Sequence, residues 1–158
     1  MNANHRNITI SKLEYTHDLP WDLLLLADPS RELVEEYVKR GYCYVAREGE
    51  EIVGEYVLIR THPQTIEIVN IAVKEEFQGQ GIGKKLILHA IEEARKLKAK
   101  TVEIGTGNSG FMQLRLYQKC GFRMFAIDYD FFIKNYEEEL FEDGLQVTDM
   151  VRLRMELK

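Results

Sequence analysis

Thr65-Ile66-Glu67-Ile68-Val69-Asn70-Ile71-Ala72-Val73, followed after a short spacer by Gln78-Gly79-Gln80-Gly81-Ile82-Gly83, is the stretch on which the reading of this chain turns. An apolar strand feeds three alternating glycines, and these open an amphipathic helix. The first N–H groups of a helix have no intrahelical partner and lie at the positive end of its macrodipole, so such a turn is an anion site. Glycines let a bulky phosphate approach those amides and adopt the left-handed backbone a tight turn demands. A diphosphate cradle is therefore the expectation; the alternative is a plain flexible strand-to-helix connection. The spacing excludes two common phosphate loops. A nucleoside-triphosphate loop needs four residues between its glycines and a hydroxyl after its lysine, whereas Lys84 is followed by Lys85. A dinucleotide fingerprint needs its third glycine one residue later, where Lys84 stands.

Working outward, 158 residues are enough to bury a sizeable core, and one domain spanning 1–158 is expected. Apolar residues make up 45% and charged residues 30%, the mixture of an ordinary soluble protein. The two cysteines, Cys43 and Cys120, show no metal-type spacing, and no leader or membrane-length apolar run is apparent, so a cytoplasmic location is expected. A net charge of −5 argues against nucleic acid as a partner, and no membrane association is expected. The acid is concentrated: Asp128, Asp130, Glu137, Glu138, Glu139, Glu142 and Asp143 face the single base Lys134 over one segment.

No repeat, low-complexity tract or linker interrupts the chain. Asn7 to Leu13 alternates as a first strand, and Pro20 to Ala27 and Pro29 to Lys39 each open with a proline suited to a first helical turn. Tyr42 to Arg47 and Ile52 to Arg60 form a hairpin around Glu48-Gly49-Glu50-Glu51. After the strand Thr65 to Val73, a helix from about Gln80 to Leu97 carries Ile82, Leu86, Ala90, Ala94 and Leu97 on one stripe. Thr101 to Gly105 is a short strand, and Gly110 to Lys119 is a helix stopped by Gly121. Phe122 to Ile133 and Val147 to Leu157 complete the set as two strands around the acidic segment. That order gives an α/β (α+β) domain on a mixed, mostly antiparallel sheet of six to seven strands with flanking helices.

Four features then fall in register: the strand carrying Glu67, the loop Gln78 to Gly83, the run Gly105-Thr106-Gly107-Asn108, and the ending Leu116-Tyr117-Gln118-Lys119-Cys120-Gly121-Phe122. Together they resemble the GCN5-related N-acetyltransferase (GNAT) superfamily, whose acyl-CoA loop is Gln/Arg-x-x-Gly-x-Gly/Ala and whose C-terminal helix ends Leu-Tyr-x-x-x-Gly-Phe. The resemblance covers Tyr42 to about Asp128 closely. It implies the GNAT fold with a splayed central strand pair, and acyl transfer from acetyl-CoA to a primary amine with no metal. It places the pyrophosphate on the amides of Gln78, Gly79, Gln80, Gly81, Ile82, Gly83 and Lys84, and the pantetheine along Ile71, Ala72 and Val73. A backbone N–H near Ile71 would polarise the thioester carbonyl. Glu67 stands where the histone-acetylating branch carries its catalytic glutamate, and is the implied base, acting through a water; desolvation would raise its pKa toward working pH. Its alternative is a solvent-facing acid on an alternating strand. Tyr117 is the implied acid for the departing thiolate, or an aromatic plug in the helix–sheet seam. The family's cofactor-contacting asparagine corresponds to Gly110 here, so Asn108 is carried over from two residues upstream, with Ser109 or Gln113 to share the task.

Other chemistries have less support. Cys120 has no nearby histidine to activate it, and His5, His17, His62 and His89 lack ligand spacing, so no metal site is expected. The acidic segment is either an attractor for a cationic acceptor such as a polyamine, an aminoglycoside or a lysine-like amine, or a solvated face. The function expected is a small-molecule amine N-acetyltransferase. The alternatives are a protein lysine or N-terminal acetyltransferase and a non-catalytic acyl-CoA binding module. Off-stripe Leu88 and the aromatic run Tyr129-Asp130-Phe131-Phe132 raise a homo-oligomer, a dimer or higher, as a further expectation.

Overall fold

The computed structural model describes residues 7–14 and 16–158; His5 lies outside them. Three strands from the first half of the chain, β1 (Ile8–Lys12), β2 (Tyr42–Glu48) and β3 (Glu51–His62), pair antiparallel in sequence order. Helices α1 (Trp21–Ala27) and α2 (Arg31–Arg40) are inserted between β1 and β2, and the Ser30 hydroxyl caps α2 by accepting the Leu33 N–H. β4 (Thr65–Val73) continues the antiparallel run. α3 (Ile82–Lys96) crosses over to β5 (Thr101–Gly107), which pairs parallel to β4. Then come α4 (Phe111–Lys119), β6 (Arg123–Asp128), α5 (Phe131–Asn135), the small hairpin β7 (Leu140–Glu142) and β8 (Leu145–Val147), and β9 (Met150–Glu156). The main sheet has seven strands in the order β1-β2-β3-β4-β5-β9-β6, antiparallel except at β4–β5, as the element order implied.

Both faces of the sheet are covered at β2, β3 and β4, whose alternate residues are apolar on each side, while the edge strand β6 is largely exposed. On one face α3 lays down Ile82, Leu86, Ala90 and Ala94, the stripe read from the sequence, with Ile87 and Ile91 joining it. Each such buried Leu or Ile contributes roughly 1.5–3 kcal/mol, which outweighs what helix propensity alone could supply. Leu97 is only partly buried and Leu88 stays exposed. On the other face, α1 and α2 pack Leu24, Val34, Tyr37 and Val38 against Cys43, Val57 and Ile59.

The C-terminal third departs from the sequence reading. Phe122 to Ile133 is not one strand: β6 stops at Asp128, Asp130 takes a left-handed backbone (φ +61°), and its N–H donates to the Asp149 carboxylate. The chain is turned there, and Phe131 and Phe132 enter α5 instead. Val147 belongs to β8 and the last strand begins at Met150. The acidic connection carries the β7–β8 hairpin, whose turn residues Asp143 and Gly144 both have positive φ (+52° and +80°). Such an Asp-Gly turn matches the twist of two-residue hairpins. The helix expected from Gln80 begins at Ile82, since Gly81 is left-handed (φ +85°) and caps it.

One residue sits against the grain of its layer. Glu55 of β3 is fully buried on the α1–α2 side, and neither carboxylate oxygen has a hydrogen-bond partner. Burial holds its carboxyl well above the ordinary value of 4.5, so it is neutral in the fold and ionised in the unfolded chain. A raised native pKa in an acid leaves stability fully present below the unfolded value and erodes it as pH climbs toward the native one. Glu55→Gln keeps the shape and removes the ionisation. Its melting temperature should exceed that of the parent at mildly alkaline pH and converge with it as pH falls toward 4.5; a difference constant with pH would contradict this.

Candidate functional site

The site begins where two parallel strands part. β4 and β5 pair from Thr65↔Thr101 to Ile68↔Ile104, yet β4 runs on to Val73 and β5 to Gly107 without pairing each other. At the parting point β4 carries a bulge: Val57 of β3 pairs with Asn70 while Leu58 pairs with Ile68, leaving Val69 as the extra residue. A bulge bends its strand and increases the local twist, which turns the second half of β4 away from β5. Backbone groups on the freed edges of both strands thus face an opening rather than a neighbour.

The glycine loop closes one end of that opening. A single 3-10 turn, Glu75–Phe77, leads into Gln78, whose side-chain amide donates to the Val73 carbonyl at 2.9 Å and ties the loop to the end of β4. Gly79 and Gly81 have φ of +76° and +85°, where a side chain would be strained. No side chain caps α3, and its first closing bond runs from Lys85 N–H to the Gly81 carbonyl. The amides of Ile82, Gly83 and Lys84 therefore point out of the helix N-terminus.

A cleft of about 480 Å³ runs from this loop along the freed edge of β4 to α4. Ile71, Ala72 and Val73 form its floor, Gln78, Gly79 and Gly81 its rim, and Ile82, Gly83 and Lys84 the helix end. Gln113 and Tyr117 face it from α4. Gln80 is not among the lining residues; its amide donates to the Glu76 carbonyl. Asn108 also lies elsewhere. Its amide donates to the Gln146 carbonyl at 3.1 Å, and its carbonyl oxygen accepts the Thr148 and Asp149 N–H groups at 2.8 and 3.1 Å. Its amide oxygen and one amide N–H are thus engaged in pinning the segment before β9, and Asn108 is not among the residues that line the cleft. Ser109 is buried and does not line the cleft.

Several lining residues were not singled out from the sequence. Arg115 and Lys119, one turn apart on α4, join Lys84 as cations around the cleft, while Leu26 and Ala27 of α1, Phe77 and Met112 supply apolar wall. The spacing of Met112, Arg115, Leu116 and Lys119 on one helical face was a usable signal. A polyanionic head with an apolar tail fits such a combination of a glycine-rich helix N-terminus, three cations and apolar walls.

The two groups expected to handle protons occupy different places. Tyr117 lies at the cleft, almost fully buried, with its ring edge-on to Phe122 at 6.5 Å between centroids. Burial pushes its hydroxyl upward, so it remains a protonated donor throughout the neutral range. Its helix ends in a paired cap: Gly121 (φ +105°) donates to Gln118 and Phe122 donates to Tyr117, as the glycine predicted. Glu67 is half-buried on the α1–α2 face, one residue before the last β4–β5 pair and directly opposite Glu103. Burial raises its carboxyl above the ordinary 4.5, Arg152 and Arg40 pull it down, and Glu103 adds to the rise. It is not solvent-facing in the way an ordinary alternating strand would make it.

Among the described residues no group of His, Cys, Asp or Glu could hold a metal ion, and no helix is long and apolar enough to cross a membrane. His89 instead packs between α3 and β3, its Nδ1 2.6 Å from the Tyr56 hydroxyl. Burial raises the Cys120 thiol, which makes it a poor nucleophile.

A model of the acetyltransferase (GNAT) family matches residues 11–122. A Bacillus subtilis (strain 168) protein named Uncharacterized N-acetyltransferase YvbK is 58% identical over 98% of this chain and 99% of its own. Among solved structures, a Bacillus subtilis acetyltransferase in complex with CoA superposes with a TM-score of 0.91 at 59% identity, covering 96% of this chain and 99% of that one. A GNAT family acetyltransferase from Elizabethkingia anophelis with acetyl-CoA bound gives 0.93 at 49% identity, covering 96% and 99%.

The engagement of Asn108 separates two outcomes. Asn108→Ala should destabilise the protein by about 1–3 kcal/mol in urea unfolding, because the part-buried Thr148 and Asp149 N–H groups lose their acceptor. CoA affinity measured by calorimetry on the folded variant should be unchanged. A lost CoA affinity at unchanged stability would reverse the assignment.

Proposed function

The chain belongs to the acetyltransferase (GNAT) family, and from that premise we propose that it moves an acetyl group from acetyl-CoA to a primary amine by direct attack in a ternary complex. The observation that carries this reading is the parting of β4 from β5, with a donor-sized cleft and Tyr117 on one side and Glu67 on the other. CoA and acetyl-CoA are named for two of the similar structures, and the cleft's residues fit that group. The diphosphate takes the amides of Ile82, Gly83 and Lys84, with Lys84, Arg115 and Lys119 offsetting its charge. The pantetheine follows the free edge of Ile71 to Val73.

The acceptor enters as an ammonium and has no lone pair until it loses a proton. Glu67, through a water, takes that proton; its raised pKa makes the carboxylate a stronger base than a solvated one. The amine nitrogen then attacks the thioester carbon, and the developing oxyanion meets a backbone N–H on the freed edge of β4. The C–N bond forms, the C–S bond breaks, and Tyr117 gives its proton to the departing thiolate. Holding both reactants in one cleft supplies a large share of the acceleration, since well-oriented reactions gain roughly 7–11 kcal/mol over bimolecular ones.

For the acceptor, a small cationic amine is the reading favoured. Glu67 and Glu103 stand side by side in register, and their mutual repulsion is relieved by a bound ammonium. The exposed acids Glu137, Glu138 and Glu139 add a long-range attraction. Cytoplasmic action belongs to the same reading.

Incubation with acetyl-CoA and a panel of polyamines, aminoglycosides, lysine derivatives and N-terminal peptides, read by mass spectrometry, tests it. An acetylated small amine is expected; thiol release with no acetylated product, or acetylation of peptides alone, contradicts it. Glu67→Gln should lower kcat by about 10²–10⁴-fold while CoA still binds. It should also flatten the rise of activity with pH, which in the parent runs through a pKa above 4.5 because the base works only when deprotonated.

A further inference from the structure

The bulge that parts β4 from β5 is held by side chains that the chemistry above does not use. Beyond Ile68, the last residue of β4 paired to β5, Val69 and Asn70 both turn toward the α1–α2 layer, since a bulge places two residues opposite one. Asn70 is 3% exposed. Its amide donates to the Leu24 carbonyl in α1 at 3.0 Å and to the Tyr37 hydroxyl in α2 at 2.8 Å. Tyr37 in turn donates to the Asp28 carboxylate at 2.9 Å.

The other Asp28 oxygen accepts the Ser30 N–H at 3.1 Å and the Tyr136 hydroxyl at 2.8 Å. Tyr136 lies just past α5, 108 positions from Asp28 in sequence. Burial pushes the Tyr37 and Tyr136 hydroxyls upward, so both remain donors. The segment that Tyr136 terminates rests on the opposite bank. A Cβ at Gly107, the end of β5, would lie 2.6 Å from Val147 and 3.6 Å from the Phe132 ring, and Phe132 packs on Tyr136 at 5.5 Å between centroids.

We infer that Tyr136, Asp28, Tyr37 and Asn70 form a strap across the wedge, and that Asn70 and Tyr136 are positioning residues for acyl transfer. One end grips β4 at its bulge and the other is seated over the end of β5, so the strap sets the separation of the two banks. Its buried position supports this role. The layer around it is Leu24, Val34, Val38 and Val57, where apolar side chains would pack without desolvating any polar group. The Asp28 carboxylate, both tyrosine hydroxyls and the Asn70 amide N–H groups are hydrogen-bonded, and the Asn70 Oδ1 alone in the strap is left without a partner; the bonds made contribute directional registry that packing alone does not. The wedge is where geometry matters most, because a misplacement of about 1 Å between reacting groups can cost roughly 10²-fold in rate.

The inference rests on the acyl-transfer reading for its kinetic consequence but not for its geometric one. Tyr136→Phe and Tyr37→Phe each remove a single oxygen and keep the ring. Hydrogen exchange read by mass spectrometry should speed up at 69–73 and at 131–147 in both variants, with peptides of α3 and of β1–β2 unchanged. With the amine found in the panel, kcat should fall about tenfold or more, an order of magnitude below the full cost of misplacement, and KM for acetyl-CoA should stay as in the parent. Faster exchange over the whole chain, or faster exchange only at 131–147 with kcat intact, overturns the inference and leaves a local structural contact. If the parent acetylates no amine, the acyl-transfer reading fails separately and the exchange pattern alone decides the strap.

Discussion

Everything at this site depends on β4 giving up its pairing with β5 after Ile68. A parallel pair in the middle of a covered sheet would ordinarily continue, because unpaired backbone groups away from water are costly. Here the Val69 bulge ends the pairing, the freed groups border an open cleft instead, and β3 holds the other edge of β4 through Val73. The result is a strand whose one edge is structural and whose other edge is free to pair with an extended ligand. The cleft toward α3 and α4 and the Glu67 side toward α1 and α2 both open from that single break in the ladder.

Charge is distributed to match. The chain carries a net charge of −5, yet the cleft gathers Lys84, Arg115 and Lys119 with a helix N-terminus. The acids lie elsewhere: Glu67 and Glu103 on the opposite face, and Glu137, Glu138 and Glu139 exposed beyond α5. A polyanionic donor and a cationic acceptor would thus approach through regions of opposite sign, which favours encounter of each with its own side. Glu67 belongs to the acidic side but has cations near it. Burial raises its carboxyl while Arg152 and Arg40 restrain the rise, the balance that the proposed role as a base would call for.

Much of the frame was legible because it rests on local signals. The period of Ile82, Leu86, Ala90 and Ala94 predicted the buried face of α3, Gly121 predicted the end of α4, and the alternation of residues 65–73 predicted β4. The features that were missed depend on partners distant in sequence. Asn108 reads locally as a cofactor ligand, but residues 38 to 41 positions away claim its side chain. The bulge at Val69 has no composition of its own and appears only when β3 and β4 are set side by side. Phe122 to Ile133 looked like a continuous strand because its apolar content is high, and the turn at Asp130 is fixed by Asp149. The β7–β8 hairpin is different: Asp143-Gly144 was a readable turn signal within a segment dominated by its charge.

The most direct measurement is an amide NMR titration of the protein with CoA. The Ile71 and Val73 amides on the freed edge of β4 should shift together with those of Gly79, Gly81 and Gly83. Those on β1 and β2 should stay in place. Shifts confined to the glycine loop, with β4 unmoved, would contradict that expectation and mean that the parted strands are not the seat of the donor.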